Sequence, residues 1–240
     1  MPAGPGQAAV LFDLDGTLTD PFLGISRCLQ YALETLGYPV PEPNELRIYI
    51  GPPLQVTFPK LLASDDAALA AEALRLYRVR YSEIGKFENA IIPGVAEAVS
   101  ALAASGYFLA VATSKLESYS REIVAHFGLA SYFGEIHGSQ LDGSRADKGE
   151  LIRHIVVTEG IDPARSVMIG DRLHDVVGAA KNGMKAIGVL WGFGDRAELE
   201  TAGAAAVAEA PAELPELVEQ VLAGAYLGAS HPLSSNSKTG

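Results

Sequence analysis

The stretch Val10-Leu11-Phe12-Asp13-Leu14-Asp15-Gly16-Thr17-Leu18 decides the fold of this 240-residue chain. Three successive apolar residues are typical of a strand buried on both faces, and this strand ends abruptly at Asp13. Two carboxylates then lie two positions apart at the carboxyl end of the strand, which is where open α/β sheets bind ligands. Asp and Gly are also common turn residues, so an ordinary strand-to-helix turn is the alternative.

Further apolar runs alternate with helical periodicity along the rest of the chain. The runs that resemble the first strand lie at 108–112, 167–169 and 186–190. The helical patterns between them lie near 94–105, 119–127, 149–159 and 173–182. Repeated strand-helix units with right-handed crossovers predict an α/β protein with a doubly wound, Rossmann-like parallel sheet.

The segment 21–87 interrupts this alternation, because it shows helical patterns and no convincing strand. Apolar residues at helical spacing run from Phe22 to Leu36 and again from Leu69 to Ile84. A parallel crossover needs only about a dozen residues, so this long helical segment predicts an inserted helical cap. The predicted organisation is an α/β core over 1–20 and 88–225, a cap over 21–87 and a disordered tail over 226–240.

Three more polar motifs follow the predicted strands or precede a predicted helix. They are Thr113-Ser114-Lys115, the isolated Lys148, and Gly170-Asp171-Arg172-Leu173-His174-Asp175. Each has a purely structural alternative, because Thr and Ser cap helices, a lone Lys usually lies in solvent, and acidic residues stabilise helix N-termini. If Asp171 and Asp175 share a helix, their spacing of four places both carboxylates on one face.

Together the four motifs, in this order, resemble those of the haloacid dehalogenase-like (HAD) hydrolases, and they cover most of the chain. The resemblance implies a phosphatase in which Asp13 attacks phosphorus and forms an aspartyl-phosphate. Asp15 would be the general acid that protonates the leaving oxygen and then the base that activates water. Lys148 would balance the charge of the carboxylates and of the transferring phosphoryl group.

The same resemblance implies Mg²⁺ as the cofactor, held by oxygen ligands alone. The ligands would be the carboxylates of Asp13 and Asp171 and the backbone carbonyl of Asp15, with Asp175 as support or as a water-mediated ligand. The residues expected to bind the phosphoryl group are Gly16, Thr17, Thr113 and Ser114, with Lys115 as a weaker candidate.

The position of the insert matches the helical cap of the phosphoglycolate phosphatase and β-phosphoglucomutase branch. Val189–Gly194 and the turn at 51–54 are most similar to phosphoglycolate phosphatase-like and 5′-nucleotidase-like members. Because a turn of this kind lies over the active site in relatives, we expect Arg47 and Gly51 to bind the substrate and influence its choice. Gly192-Phe193-Gly194 lacks the third glycine of a dinucleotide fingerprint and is interpreted as a turn after a strand.

The composition limits the partners of the protein. Its 29 acidic residues against 18 basic ones give a net charge of −11, which argues against nucleic acid and anionic membranes but allows a small phosphorylated substrate. A single cysteine, Cys28, excludes an internal disulfide and a cysteine-based zinc site. Neither a secretory signal nor a long apolar span is visible, so we expect a cytoplasmic protein.

The sequence thus predicts a Mg²⁺-dependent phosphatase for small phosphomonoesters resembling phosphoglycolate or a nucleoside monophosphate. One alternative is a phosphotransferase of the same fold, either a sugar-phosphate mutase or a protein-tyrosine kinase, although no nucleotide-binding loop or kinase signature occurs. Another is a non-catalytic binding protein that keeps the HAD fold. A dehalogenase would leave Asp15 without a role. Neither the physiological substrate nor the oligomeric state is specified by the sequence.

Overall fold

The described part of the chain forms a six-stranded parallel sheet and a short two-stranded antiparallel sheet. The computed structural model describes residue 4 and residues 6–50 and 54–224, so Gly51 and the tail predicted over 226–240 lie outside the described residues. In chain order the strands are β1 (Ala9–Phe12), β2 (Thr19–Asp20), β3 (Ala90–Ile91), β4 (Phe108–Leu116), β5 (Glu135–Ser139), β6 (Val167–Gly170), β7 (Lys185–Val189) and β8 (Ala206–Ala208).

The parallel sheet has the order β5-β4-β1-β6-β7-β8, which confirms the predicted α/β fold. The first strand, β1, lies between β4 and β6, with Val10 opposite Leu109 and Val167. The predicted strands correspond to β1, β4, β6 and β7. The edge strands β5 and β8 were not predicted, since neither contains the run of large apolar residues that marks a buried strand.

Helices cover both faces of the sheet and form the insert. In chain order they are α1 (Phe22–Thr35), α2 (Leu54–Leu62), α3 (Ala67–Arg80), α4 (Val95–Ala104), α5 (Glu117–His126), α6 (Lys148–Glu159), α7 (Leu173–Ala180), α8 (Arg196–Thr201) and α9 (Leu214–Leu222). Among the described residues, none of these helices combines the length and the apolar character that crossing a membrane requires.

Alternate residues of β1 point into two separate cores. Val10 and Phe12 pack in one cluster with Val99 of α4 and Val218 of α9. Ala9 and Leu11 pack on the opposite face in a second cluster, which contains residues of α6, α7 and α8. Because side chains alternate across a strand, this doubly covered sheet requires the uninterrupted apolar run at 9–12.

The insert has an apolar core of its own. Side chains from α1, α2 and α3 form a third buried cluster, separate from the two that flank the sheet. The strands β2 and β3 flank the insert in sequence and pair antiparallel, with Thr19 opposite Ile91. Within the described residues of 21–87 the structure contains helices and no strand. We therefore retain, as a proposal, the division into a core over 1–20 and 88–225 and a cap over 21–87.

The junction after β4 differs from the prediction. The structural alternative for the Thr113-Ser114 pair was a helix cap, but β4 continues to Leu116 and α5 starts at Glu117. The extension is supported by the neighbouring strand, since Leu116 pairs with Ser139 of β5 after a shift in register. Thr113 and Ser114 are therefore strand residues, and the backbone N–H of Ser114 does not lie at a helix N-terminus.

The core of the cap should be essential for stability. Phe58 is completely buried there, and its ring contacts Tyr77 edge-on at 6.2 Å between centroids. We expect Phe58→Ala to lower the free energy of unfolding by about 3–5 kcal/mol, because it removes buried area and leaves a cavity. Ile48 is 74% exposed, so Ile48→Ala should change this free energy by less than about 0.5 kcal/mol. Urea denaturation measures both; equal effects would contradict the assigned packing.

Candidate active site

The predicted motifs meet at the carboxyl end of the sheet, where β4, β1 and β6 are neighbours. Asp13 follows β1 directly, and its backbone N–H donates to the carbonyl of Ile169 on β6 at 2.9 Å. The chain then forms a tight helical turn in which Leu18 N donates to the Leu14 carbonyl. Gly16 has a φ of +81° in this turn, a conformation that an L side chain rarely adopts.

Lys148 occupies the centre of the site. Its side chain is buried, and its Nζ lies 2.7 Å from Asp175 Oδ1 and 3.1 Å from Asp13 Oδ1. The same ammonium donates to the backbone carbonyl of Ala112, at 2.8 Å. Burial alone would lower the pKa of Lys148, but the two carboxylates outweigh it and raise this pKa above its usual value. Lys148 is therefore a fixed cation that joins its own motif to those of Asp13 and Asp175 and also contacts β4.

Three carboxylates converge beside this lysine. Asp13, Asp171 and Asp175 each place an oxygen within 4.8 Å of the others. Burial raises the pKa of Asp171 well above its usual range, and the charges of Asp175 and Asp13 raise it further. Asp171 precedes α7 and does not lie on it, so the carboxylates meet because of the bend after β6 and not because of helical spacing.

The surroundings of Asp171 explain a glycine pattern whose role the sequence did not reveal. A Cβ at Gly16 or Gly192 would lie 2.3 or 2.4 Å from Asp171 Oδ2, and one at Gly194 would lie 2.0 Å from the Asp171 carbonyl oxygen. Between Gly192 and Gly194, the backbone N–H of Phe193 donates to Asp171 Oδ2 at 2.8 Å. The Gly-x-Gly spacing was the available signal, and its turn holds the carboxylate of Asp171.

Asp15 has a different neighbour from Asp13. Its Oδ2 lies 2.6 Å from Lys115 Nζ, whereas its Oδ1 is buried and has no hydrogen-bond partner among the described residues. Burial raises the pKa of Asp15; Lys115 opposes this shift and the charge of Asp13 adds to it. Lys115, considered from sequence as a possible phosphate ligand, thus contacts Asp15.

The hydroxyl residues of the predicted phosphate site lie in three environments. Thr113 is buried, and its Oγ1 accepts from the backbone N–H of Lys115 at 3.2 Å. The Ser114 hydroxyl donates to the Ala146 carbonyl at 3.0 Å. The Thr17 hydroxyl is buried and makes a long contact of 3.5 Å with Asp171 Oδ1.

Arg47 reaches this part of the molecule from the cap. It lies in a short 3₁₀ helix, Pro43–Tyr49, and its guanidinium stands over the rings of Phe22 and Phe193 at 5.0 and 5.5 Å. Phe193 is also the residue whose N–H holds Asp171. Gly51, the other cap residue expected to bind the substrate, lies outside the described residues.

The donor set suits a hard divalent cation. Mg²⁺ is bound through oxygen, usually by one or two carboxylates together with water and substrate. Among the described residues no basic side chain forms an ion pair with Asp171, although it is fully buried beside Asp13 and Asp175. Because a buried charge is unfavourable unless it is compensated, this arrangement fits a cation next to Asp171.

Comparison with known proteins identifies the family. The model of the family "Haloacid dehalogenase-like hydrolase" matches residues 10–189. A 5′-nucleotidase of Pseudomonas aeruginosa is 47% identical over 190 residues, which cover 79% of this chain and 86% of that protein. The tyrosine-protein kinase PtkA of Mycobacterium tuberculosis is 41% identical over 194 residues, covering 80% of this chain and 66% of PtkA.

A similar solved structure is described as a predicted phosphatase from Clostridium acetobutylicum. It has a TM-score of 0.81 and 38% sequence identity, and the match covers 91% of this chain and 99% of that one. The chain therefore belongs to the haloacid dehalogenase-like hydrolase family. Its relatives, which include proteins named 5′-nucleotidase and phosphoglycolate phosphatase, identify it more narrowly as a HAD-family phosphatase, a phosphoric monoester hydrolase.

The glycines around Asp171 generate a prediction. In Gly192→Ala the new Cβ would overlap the Asp171 side chain, so the carboxylate must move. We expect phosphatase activity to fall by about 10–100-fold, as it does when the support of a metal ligand is removed. Steady-state kinetics and circular dichroism measure the loss and the retained fold.

Gly4→Ala is the matched control, since its Cβ would meet nothing closer than the Gln7 side chain at 3.6 Å. Full activity in Gly192→Ala would show that the turn does not position Asp171.

Proposed function

We propose that the protein is a Mg²⁺-dependent phosphatase for small phosphomonoesters that works through an aspartyl-phosphate on Asp13. The observation that carries the proposal is the convergence of the Asp13, Asp171 and Asp175 carboxylates around the buried ammonium of Lys148. An anionic substrate can enter an acidic site only if cations offset the charge, and this site contains one lysine at its centre. The remaining compensation falls to a divalent ion.

The contacts of Asp13 suit a nucleophile. Its Oδ1 accepts from the backbone N–H of Leu14 at 2.7 Å and lies 3.1 Å from Lys148 Nζ. Both contacts fall on the same oxygen, which fixes the carboxylate and supports Oδ2 as the atom that attacks phosphorus. The attack forms the bond between Asp13 and phosphorus as the ester bond breaks, and a water molecule later hydrolyses the acyl phosphate.

Asp15 would carry out the proton transfers. Burial raises its pKa, which favours the protonated form that a general acid requires. After the leaving alcohol takes this proton, the Asp15 carboxylate can accept a proton from the attacking water. Asp15 would thus be acid in the first step and base in the second.

The phosphoryl oxygens would be held by the turn that follows Asp13 and by the end of the neighbouring strand β4. Thr113 Oγ1 already accepts a hydrogen bond from Lys115 N, so its own hydrogen is available to a phosphoryl oxygen. We propose backbone and hydroxyl donors from Gly16, Thr17 and Ser114 as the remaining contacts. The ligands of the metal would be Asp13, the Asp15 carbonyl and Asp171, with Asp175 binding through water because Lys148 occupies its Oδ1. When bound, Mg²⁺ would neutralise the carboxylates and withdraw charge from the phosphoryl oxygens.

Substrate choice would depend on the cap. The Arg47 guanidinium, held over two aromatic rings beside the Phe193 turn, offers a cation to an anionic or polar leaving group. The names of the relatives favour a nucleoside monophosphate or phosphoglycolate. The cytoplasmic location remains a prediction.

The similarity to PtkA favours a phosphotransferase as a second candidate, in which a protein tyrosine accepts the phosphoryl group. Incubation with γ-labelled ATP separates the two functions, because the hydrolase releases free phosphate and the kinase leaves label on tyrosine. A sugar-phosphate mutase would instead yield an isomeric phosphomonoester.

The function is tested by a panel of phosphoglycolate, nucleoside monophosphates, sugar phosphates and phosphotyrosine, each assayed with Mg²⁺ and with chelator. We expect the wild type to release phosphate only with the metal. Asp13→Asn should reduce turnover by on the order of 10⁶-fold, since it removes a covalent nucleophile.

Asp65→Asn is the matched control, because it makes the same change at an exposed carboxylate of the cap and should leave turnover unchanged. Retained activity in Asp13→Asn would refute the nucleophile. A wild type without activity towards any member of the panel would instead support a non-catalytic binding protein.

A further inference from the structure

Lys115 lies between Asp15 and a tyrosine of the proposed cap, Tyr81. It stands in the last part of β4, its side chain is 9% exposed, and its Nζ is 2.6 Å from Asp15 Oδ2. The same ammonium donates to the hydroxyl of Tyr81 and stands 4.7 Å from the centroid of that ring. Lys115 therefore joins a residue of the cap to the carboxylate proposed as general acid.

Tyr81 is itself held in place by other rings. It begins the π-helix Tyr81–Gly85 at the end of α3 and is almost fully buried. Its ring stacks on Tyr77 at 5.4 Å with an interplanar angle of 10°, and it contacts Tyr119 of α5 at 5.5 Å. The ring is thus held by packing from two sides, and its hydroxyl accepts from Lys115.

The two oxygens of Asp15 differ as a result. Oδ2 accepts from Lys115, whereas Oδ1 is buried without a hydrogen-bond partner among the described residues. An ammonium can only donate, so an Asp15 carboxyl in contact with Lys115 must present Oδ2 as the acceptor and carry its proton on Oδ1. The oxygen left without a partner is then the one that bears the proton.

We propose that Lys115 is a positioning residue that acts through Asp15, and that Tyr81 of the cap positions Lys115. The lysine holds Oδ2 so that the proton on Oδ1 faces the leaving oxygen of the substrate. As the phosphorus–oxygen ester bond breaks and Asp13 bonds to phosphorus, that proton moves from Oδ1 to the leaving oxygen. Lys115 keeps all its protons. This inference rests on the proposed phosphatase function and assigns to it a contact from the cap.

The dependence of rate on the leaving group tests the proposal. An alkyl alcohol needs the proton of Asp15 to leave, whereas the acetate of acetyl phosphate does not. The value of kcat/KM reports the step in which the leaving group departs. We expect Lys115→Met to reduce it by about 10²-fold for the fastest alkyl phosphomonoester, the lower range of general acid catalysis. For acetyl phosphate the loss should stay below about threefold.

Tyr81→Phe keeps the stacked ring and removes only the hydroxyl. Its kcat/KM for the alkyl ester should fall by about tenfold, the effect of one hydrogen bond to a charged group, with little change for acetyl phosphate. Asp15→Asn is the reference for this difference between the two substrates, since it removes the general acid itself. Lys86→Met is the matched control: this lysine is equally buried and stands over Tyr119 at 5.5 Å, but it pairs with Glu122, outside the site.

Equal losses on both substrates in Lys115→Met or Tyr81→Phe would overturn the positioning role, because damage to the whole site does not depend on the leaving group. In that case, activity of the wild type towards these substrates would still support the phosphatase function. A wild type that hydrolyses neither substrate would reject the phosphatase function, and the positioning role with it.

Discussion

The structure depends on the balance of charge around one buried lysine. Four carboxylates, those of Asp13, Asp15, Asp171 and Asp175, lie at the carboxyl ends of β1 and β6, and two lysines contact three of them. Asp171 is the carboxylate without a basic partner in the described part of the chain, and it is fully buried. Since buried charges are unfavourable unless they are paired, this arrangement supports the proposed divalent cation, which would be in place before an anionic substrate binds.

The rest of the fold keeps these charges together. The central strands bring Asp13 and Asp171 side by side, and α6 begins at Lys148, so its ammonium reaches both Asp13 and the carbonyl of Ala112 on β4. Glycines without side chains allow the turn at 192–194 to close on Asp171. The cap adds Tyr81, whose contact with Lys115 extends the network to Asp15. The proposed catalytic carboxylates and the packing of the proposed cap are therefore connected through hydrogen bonds and ion pairs.

Much of this arrangement could be predicted from the sequence. The buried run at 10–12 and the order of the four motifs predicted the parallel sheet, and the family comparison confirms the fold. Local patterns did not reveal β5 and β8, because edge strands with small or polar residues lack a strong apolar signal. Nor did they reveal that Thr113 and Ser114 continue β4, since a neighbouring strand decides where β4 ends. The contacts of Lys115 with Asp15 and Tyr81 join residues far apart in sequence, which no spacing rule could detect.

The central claim, that the excess charge at Asp171 is compensated by a divalent cation, is tested by thermal unfolding of the wild type and of Asp171→Asn as Mg²⁺ is titrated. A ligand that binds only the folded state raises the melting temperature as its concentration rises. The account predicts that Mg²⁺ raises the Tm of the wild type, that Asp171→Asn melts at or above the wild type when chelator is present, and that Mg²⁺ has little effect on this variant. A wild-type Tm that does not respond to Mg²⁺, or an equal rise in both proteins, would contradict it.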